Sequence, residues 1–204
     1  MQNIFKKILQ AKDKYNSTIV FDSRLIKKND IFIGLKSNNR DGNLFALDAI
    51  KKGAIFAIVD NNKLAHENII YTKSVQSFIN KFVKFLLGAY KGKIIAISGS
   101  VGKTTTKENI FHILNNNLFK VYRSFKNFNN ILGLQFSIMN MDIDSKFAVF
   151  ELGINATKEM DDLMKLVKES SGEEAAERLK NNIFDMRLAV DNMSARLLQR
   201  RMPQ

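Results

Sequence analysis

The chain contains no cysteine. That excludes a disulfide framework, a thiolate zinc site and a cysteine nucleophile. Proline occurs once, at Pro203. Arginine is scarce along most of the chain: before the C-terminal segment only Arg24, Arg40 and Arg123 are found. No apolar run approaches the roughly 20 residues that a membrane-spanning helix needs. The N-terminal stretch, Met1–Lys14, scatters Lys6, Lys7, Lys12 and Lys14 through a short apolar pattern. It lacks the continuous apolar stretch and small-residue cleavage site of a signal peptide. These absences predict a soluble, cytoplasmic protein with no membrane partner. His66 and His112 are the two histidines, and neither has a carboxylate partner at metal-ligand spacing. Both are expected at or near the surface.

What is present is globular in kind. Hydrophobic residues make up 45% of the 204 and charged residues 25%, which supplies core for one large or two small domains and argues against disorder. The formal net charge is +12. Such a balance suits either a basic surface for nucleic acid or phosphate-rich ligands, or a chain in which Lys and Asn are used heavily throughout. The lysines are dispersed, which favours the compositional reading. Phe residues fall at helical spacing, as core residues do. Nothing resembles an aromatic nucleic-acid motif, and no nucleic-acid partner is expected.

The chain divides into three segments. Residues 1–90 carry short β-rich runs at Ser17–Phe21, Asp30–Leu35 and Ala54–Val59. A helical stretch, Asn43–Lys52, is stopped by Gly53. Ile69–Tyr71 precedes a second helical pattern, Val75–Leu87, and Gly88–Gly92 reads as a linker. This is the pattern of a small α/β domain. Residues 91–167 begin with an apolar strand, Lys93–Ile97, then a Gly-containing loop and a helix over Thr104–Asn115. Lys120–Tyr122 reads as a strand, Asn130–Met139 as a helix, Phe147–Leu152 as a buried strand and Met160–Val167 as a further helix. That order predicts a parallel sheet with crossover helices. Residues 168–204 differ in composition, with Arg178, Arg187, Arg196, Arg200 and Arg201. Leu179, Ile183, Met186, Val190, Met193 and Leu197 recur at three- and four-residue steps. An amphipathic helix without a β-like run is expected there.

The chemistry is concentrated at Ser98-Gly99-Ser100-Val101-Gly102-Lys103-Thr104-Thr105. A strand ends, and small residues let successive backbone N–H groups point into one concavity that suits phosphate oxygens. The helix that follows adds its positive N-terminal end. Lys103 can reach β- and γ-phosphates, and the Thr104 hydroxyl can bind Mg²⁺. The common phosphate-loop spacing would need glycine at position 97, where Ile97 stands. The shorter form Gly99-x-x-Gly102-Lys103-Thr104 is satisfied.

Residues 98–108, Ser-Gly-Ser-Val-Gly-Lys-Thr-Thr-Thr-Lys-Glu, resemble the ATP loop of the Mur ligases. Other stretches agree in order. Asp22-Ser23-Arg24, Asn29-Asp30-Ile31-Phe32-Ile33-Gly34-Leu35, Asp41-Gly42 with Ala49, and Gly53-Ala54 resemble the family's N-terminal domain. Asn127-Phe128-Asn129-Asn130-Ile131-Leu132-Gly133 and Glu151-Leu152-Gly153-Ile154-Asn155 resemble later parts of its central domain. The resemblance covers residues 15–167 and is strongest to the members that add D-alanyl-D-alanine. It implies an N-terminal domain that binds a UDP-linked precursor and an incomplete P-loop ATPase domain. ATP and Mg²⁺ are the implied cofactors. The implied substrates are UDP-N-acetylmuramoyl tripeptide and D-alanyl-D-alanine, joined through an acyl phosphate in peptidoglycan precursor synthesis. The alternatives are the ligase that adds the third amino acid, a nucleotide-binding fragment without turnover, and an unrelated P-loop phosphotransferase.

The resemblance also implies residue roles. Gly99, Ser100, Val101, Gly102, Lys103, Thr104 and Thr105 would hold the nucleotide, with Lys103 catalytic. Thr104 and Glu151 would complete a Mg²⁺ shell. Ser23, Arg24, Asn129 and Asn130 would contact substrate. For Ser23 and Arg24 the competing reading is a turn with a salt bridge; for Asn129 and Asn130 it is turn formation and helix capping. Asp41-Gly42 is expected to be a structural turn. Gln135 stands where the family commonly has proline. The family's central domain continues past residue 167 and is followed by a further domain. This chain is therefore expected to be inactive alone, with a tail foreign to the ligase and an apolar sheet edge that something must cover.

Overall fold

A computed structural model describes residues 2–37, 40–97, 102–125 and 131–152, and the backbone of 183–185. The chain forms two compact units, Met1–Phe85 and Leu86–Gln204.

The first unit opens with helix α1, Gln2–Tyr15. The sequence pattern there predicts no element, yet Phe5, Ile8 and Ala11 are spaced to share one helical face, and all three are buried. The Phe5 ring lies 5.5 Å from Phe78, 5.1 Å from Phe82 and 5.3 Å from Phe85. Those three belong to α3, Val75–Ala89. The helix therefore extends through Gly88, into the segment expected as a linker. Asn16, with φ of 52°, ends α1, and the Ser17 hydroxyl donates to the Ala11 carbonyl.

A parallel sheet forms the middle of this unit. Its strands are β1 (Ile19–Val20), β2 (Ile31–Ile33), β5 (Phe56–Val59) and β6 (Ile69–Tyr71), in the order β1-β2-β5-β6. Between β2 and β5 lie a short antiparallel hairpin, β3 (Lys36–Ser37) with β4 (Arg40–Asp41), a 3-10 turn at Gly42–Phe45, and α2, Ala46–Lys51. Ile31, Phe32, Ile33, Ala57, Ile58 and Val59 are all buried, as expected for parallel strands covered on both faces. Phe32, Ala46, Ala49, Ala54, Ala57 and Val59 form one core cluster. The helix expected over Asn43–Lys52 is thus a 3-10 turn followed by a shorter α-helix. Asp41 decides this, because its carboxylate accepts the Asn43 N–H at 2.9 Å and starts the turn early.

A polar node fastens this unit. The Asn43 side chain is fully buried. Its amide donates to Asp41 Oδ1 at 2.6 Å and to Asp60 Oδ1 at 2.9 Å, and its oxygen accepts the Asp60 N–H at 2.9 Å. Asp60 Oδ2 accepts the N–H of Val75 at the start of α3, and Lys36 lies 3.2 Å from Asp60. Burial raises the Asp60 carboxyl, but hydrogen bonds from Asn43, Val75 and Lys36 outweigh it and hold the group below its ordinary value.

The second unit is built on a parallel sheet in the order β10-β7-β9-β8. Its strands are β7 (Lys93–Ile97), β8 (Val121–Arg123), β9 (Phe147–Glu151) and β10 (Ile183–Asp185). Helix α4, Lys103–Asn116, follows β7 and packs on β7, β8 and β9. Helix α5, Ile131–Asn140, follows β8. The Tyr122 hydroxyl donates to the Ser137 carbonyl at 2.7 Å, and burial raises its phenol.

One expectation is overturned. Ile183 is read from sequence as part of an amphipathic helix without a β-like run. Instead the backbone of Ile183–Asp185 pairs in parallel with Ile94–Ala96 of β7. A three- and four-residue apolar period is a weak local signal. The edge of β7 offers unpaired backbone groups that a short segment can satisfy. The other residues of the expected tail helix, and the helix expected at Met160–Val167, lie outside the described residues.

Gly42 is set by crowding. A Cβ there would lie 2.5 Å from the Leu35 carbonyl oxygen and 2.7 Å from the Leu35 nitrogen. Gly42→Ala is expected to lower unfolding free energy by about 2 kcal/mol through overpacking, measured by urea denaturation.

Candidate functional site

Strand β7 ends at Ile97, and α4 begins at Lys103. Gly99, Ser100 and Val101 lie outside the described residues, as do Asn129 and Asn130. Gly102, just before the helix, has φ of 79° and ψ of 0°. Among the described residues, its chain neighbours apart, no atom lies within 4 Å of where its Cβ would be. Backbone angle therefore demands the glycine here, whereas crowding demands it at Gly42. The Gly102 carbonyl accepts the Thr106 N–H at 2.9 Å, which starts the helical ladder. Lys103, Thr104 and Thr105 form the first turn, whose N–H groups have no partner within the helix. Their combined field favours an anion at this end.

Glu151 is the last residue of β9, in register with Ile97 of β7. Both strands therefore end beside the start of α4, at the carboxyl edge of a parallel sheet, where ligands bind in open α/β folds. Glu151 is only 3% exposed. The Thr104 hydroxyl donates to its carboxylate, 3.0 Å from Oε2 and 3.2 Å from Oε1. The Glu151 N–H donates to Ser124 Oγ at 3.1 Å, and the Ser124 N–H donates to the Val149 carbonyl. Backbone pairing and a hydroxyl at the end of β8 thus fix where the carboxylate starts. Thr104 and Glu151 together present a hydroxyl and a carboxylate, both hard oxygen donors.

Sequence reasoning missed Lys107. Its side chain is buried, and Nζ lies 3.4 Å from Glu151 Oε2 and 3.9 Å from Glu108 Oε1. Glu108 pairs in turn with Arg123, whose guanidinium sits 3.9 Å over the Phe111 ring. A usable signal existed. Thr104 and Lys107 are three apart and share a helical face, so a contact of Thr104 is within reach of Lys107.

In the first unit, Asp22 caps a 3-10 turn at Ser23–Leu25. The Arg24 guanidinium donates to both Asp22 oxygens, Nε at 2.9 and 3.1 Å and Nη2 at 2.6 Å. Arg24 remains largely exposed, and Ser23 is buried, its carbonyl accepting from Lys52 at 3.3 Å. The Arg24 side-chain and backbone hydrogen bonds hold the Asp22 carboxyl down at about 2. Both histidines are exposed: His112 is edge-on to Phe111, and His66 Nδ1 accepts the Asn68 N–H. Among the described residues there is no group of three or more His, Cys, Asp or Glu able to hold a metal, and no helix long and apolar enough to cross a membrane.

The Mur ligase middle domain family matches residues 97–172, past the point where the family pattern was expected to stop. The UDP-N-acetylmuramoyl-tripeptide–D-alanyl-D-alanine ligase of Rickettsia prowazekii is 39% identical over 152 residues, covering 74% of this chain and 33% of the relative. The UDP-N-acetylmuramoyl-L-alanyl-D-glutamate–2,6-diaminopimelate ligase of Rickettsia montanensis is 34% identical over 85 residues, covering 41% of this chain and 18% of the relative. Similar solved structures include two MurF ligases. The MurF ligase of Thermotoga maritima in complex with ADP has a TM-score of 0.58 and 25% identity, over 81% of this chain and 42% of that one. MurF of Acinetobacter baumannii has a TM-score of 0.63 and 28% identity, over 80% and 38%. The chain thus spans about a third of the length of the first relative, 33%.

The Asp22–Arg24 pair has a pH signature. The folded carboxyl is at about 2, below its ordinary 3.8. Its stabilisation is therefore present above 3.8 and lost as pH falls towards 2. Asp22→Asn is expected to lower the melting temperature near neutral pH, and the gap to the parent is expected to close on acidification through that window. Thermal melts across the acid range measure it.

Proposed function

We propose that this chain, a member of the Mur ligase family over the residues compared, carries two parts of an ATP-dependent amide ligase. The ligase joins D-alanyl-D-alanine to UDP-N-acetylmuramoyl tripeptide. Residues 1–90 are the part that holds the UDP-linked precursor, and residues 91–167 belong to the ATP-binding domain. One observation carries the reading: a buried carboxylate, Glu151, meets the Thr104 hydroxyl at 3.0 Å beside the start of a helix that Gly102 leads into. The match to the D-alanyl-D-alanine ligase runs over 152 residues, against 85 for the ligase that adds diaminopimelate. That difference favours the D-alanyl-D-alanine step.

The proposed chemistry has two steps. A carboxylate oxygen of the peptide attacks the γ-phosphorus of ATP; the bond to the bridging oxygen breaks and ADP leaves. The amine of D-alanyl-D-alanine then attacks the acyl carbon, phosphate leaves, and the amine proton is lost as the amide forms. No protein nucleophile takes part. The demand on the protein is to bring two anions together. The first-turn N–H groups of α4 and the Lys103 ammonium would hold the β- and γ-phosphates and offset the charge that develops there. Gly99, Ser100, Val101, Gly102 and Thr105 would supply the rest of the cradle. Ser23, Arg24, Asn129 and Asn130 are the proposed substrate contacts.

A Mg²⁺ ion fits the donor set, because the Thr104 hydroxyl and the Glu151 carboxylate are oxygen ligands already within 3.2 Å of each other. When bound, Mg²⁺ would supply charge neutralisation at the phosphates. Thr104 and Glu151 would hold it, and Glu151 is prepared for this by burial and by its backbone bond to Ser124.

Lys103→Ala is expected to weaken ATP binding at least about tenfold, ~1.4 kcal/mol, as read by calorimetric titration of the 204-residue chain. Unchanged affinity would refute the assignment of the loop.

A further inference from the structure

The Lys107 side chain has no task in the chemistry above, yet it is one of the most deeply buried among the described residues, at 1% exposure. A buried ammonium is costly to desolvate, and a well-packed apolar residue usually serves the fold as well or better. Its position indicates what it does. Nζ approaches Glu151 at Oε2, 3.4 Å away. The same oxygen is the nearer acceptor for the Thr104 hydroxyl, at 3.0 Å. Oε1 has Thr104 at 3.2 Å and no contact with Lys107 within hydrogen-bond range. The two donors therefore converge on one oxygen and set the rotation of the carboxylate. Among the described residues, Oε1 takes the Thr104 hydroxyl alone, which leaves it lone-pair capacity. On the far side, Glu108 lies 3.9 Å from Nζ and is itself tied to Arg123. The ammonium is thus anchored from behind as well as in front.

We infer that Lys107 is a positioning residue: it holds the Glu151 carboxylate by Oε2 so that Oε1 is presented to the cation that accompanies a bound nucleotide triphosphate. This rests on the proposed nucleotide-binding reading of the same site. An ammonium suits the task because it is a point charge that can engage one oxygen. Arginine's planar fork engages both oxygens of a carboxylate together.

The test measures ATP binding by calorimetry to the 204-residue chain, once with excess MgCl₂ and once with EDTA. The ratio of the two affinities is the gain from Mg²⁺. Melting temperatures are recorded in parallel. The parent is expected to bind ATP more tightly with Mg²⁺. Lys107→Met is expected to lower the melting temperature and to reduce the gain about tenfold, while affinity in EDTA changes less than about twofold. Lys107→Arg keeps the buried charge and is expected to melt near the parent. Its fork would occupy Oε1 too, so its gain is also expected to fall. A role in folding alone predicts the opposite for Lys107→Arg, with fold and gain both retained. A full gain in Lys107→Arg, or in a folded Lys107→Met, overturns the inference and leaves the nucleotide site standing. A parent that binds ATP with no gain from Mg²⁺ also overturns it. A parent that binds no ATP under either condition overturns the nucleotide reading itself.

Discussion

A carboxylate 3% exposed must be compensated, and the second unit is arranged around the compensation of Glu151. The strand pairing of β7 with β9 brings Glu151 level with Ile97, where the chain leaves the sheet for the loop. The chain returns as α4 through Gly102 in a left-handed conformation. That return carries Thr104 and Lys107 to the carboxylate from one helical face. Had β9 slipped by one residue, Glu151 would point to the opposite side of the sheet and both donors would be stranded. Register, loop and helix start therefore depend on one another through this group.

The first unit solves an equivalent problem with neutral and charged groups together. Asn43 and Asp60 exchange two hydrogen bonds, and Asp60 also accepts the N–H of Val75 at the start of α3. This node ties the largely exposed hairpin strands β3 and β4 to the end of β5 and the start of α3. Lys36 adds its charge from the hairpin side. The core itself is β2 and β5 against α2, where alanines at positions 46 and 49 let the helix sit close to Phe32. The candidate substrate residues Ser23 and Arg24 lie on a separate turn, set by Asp22.

Elements with strong local patterns were legible along the chain. The run Lys93–Ile97 is a strand over those same residues, as is Ile69–Tyr71, and α3 and α4 start within one residue of expectation. Their apolar residues are dense, and Gly92 and Gly102 stand just before β7 and α4, although Gly88 lies within α3. Two segments were not legible. In α1 the buried stripe of Phe5, Ile8 and Ala11 is only three residues long, a short signal among lysines, and its Phe5 meets the rings of α3. At Ile183–Asp185 the pairing partner, β7, is distant in sequence, and a helical period in the tail gave no hint of it.

The site divides in the same way. Glycine, lysine and threonine spacing after an apolar strand points to the proposed phosphate loop, because backbone sterics and helix ends act over a few residues. Glu151 stands at the end of an apolar run, and its proposed role came from the family resemblance. The meeting of Lys107 with Glu151 spans 44 residues, and the Asn43–Asp60 node spans 17. Contacts of that range follow from which strands pair and which helix covers them. A charged side chain carries no local mark of whether it faces water or a buried partner; packing assigns it one or the other.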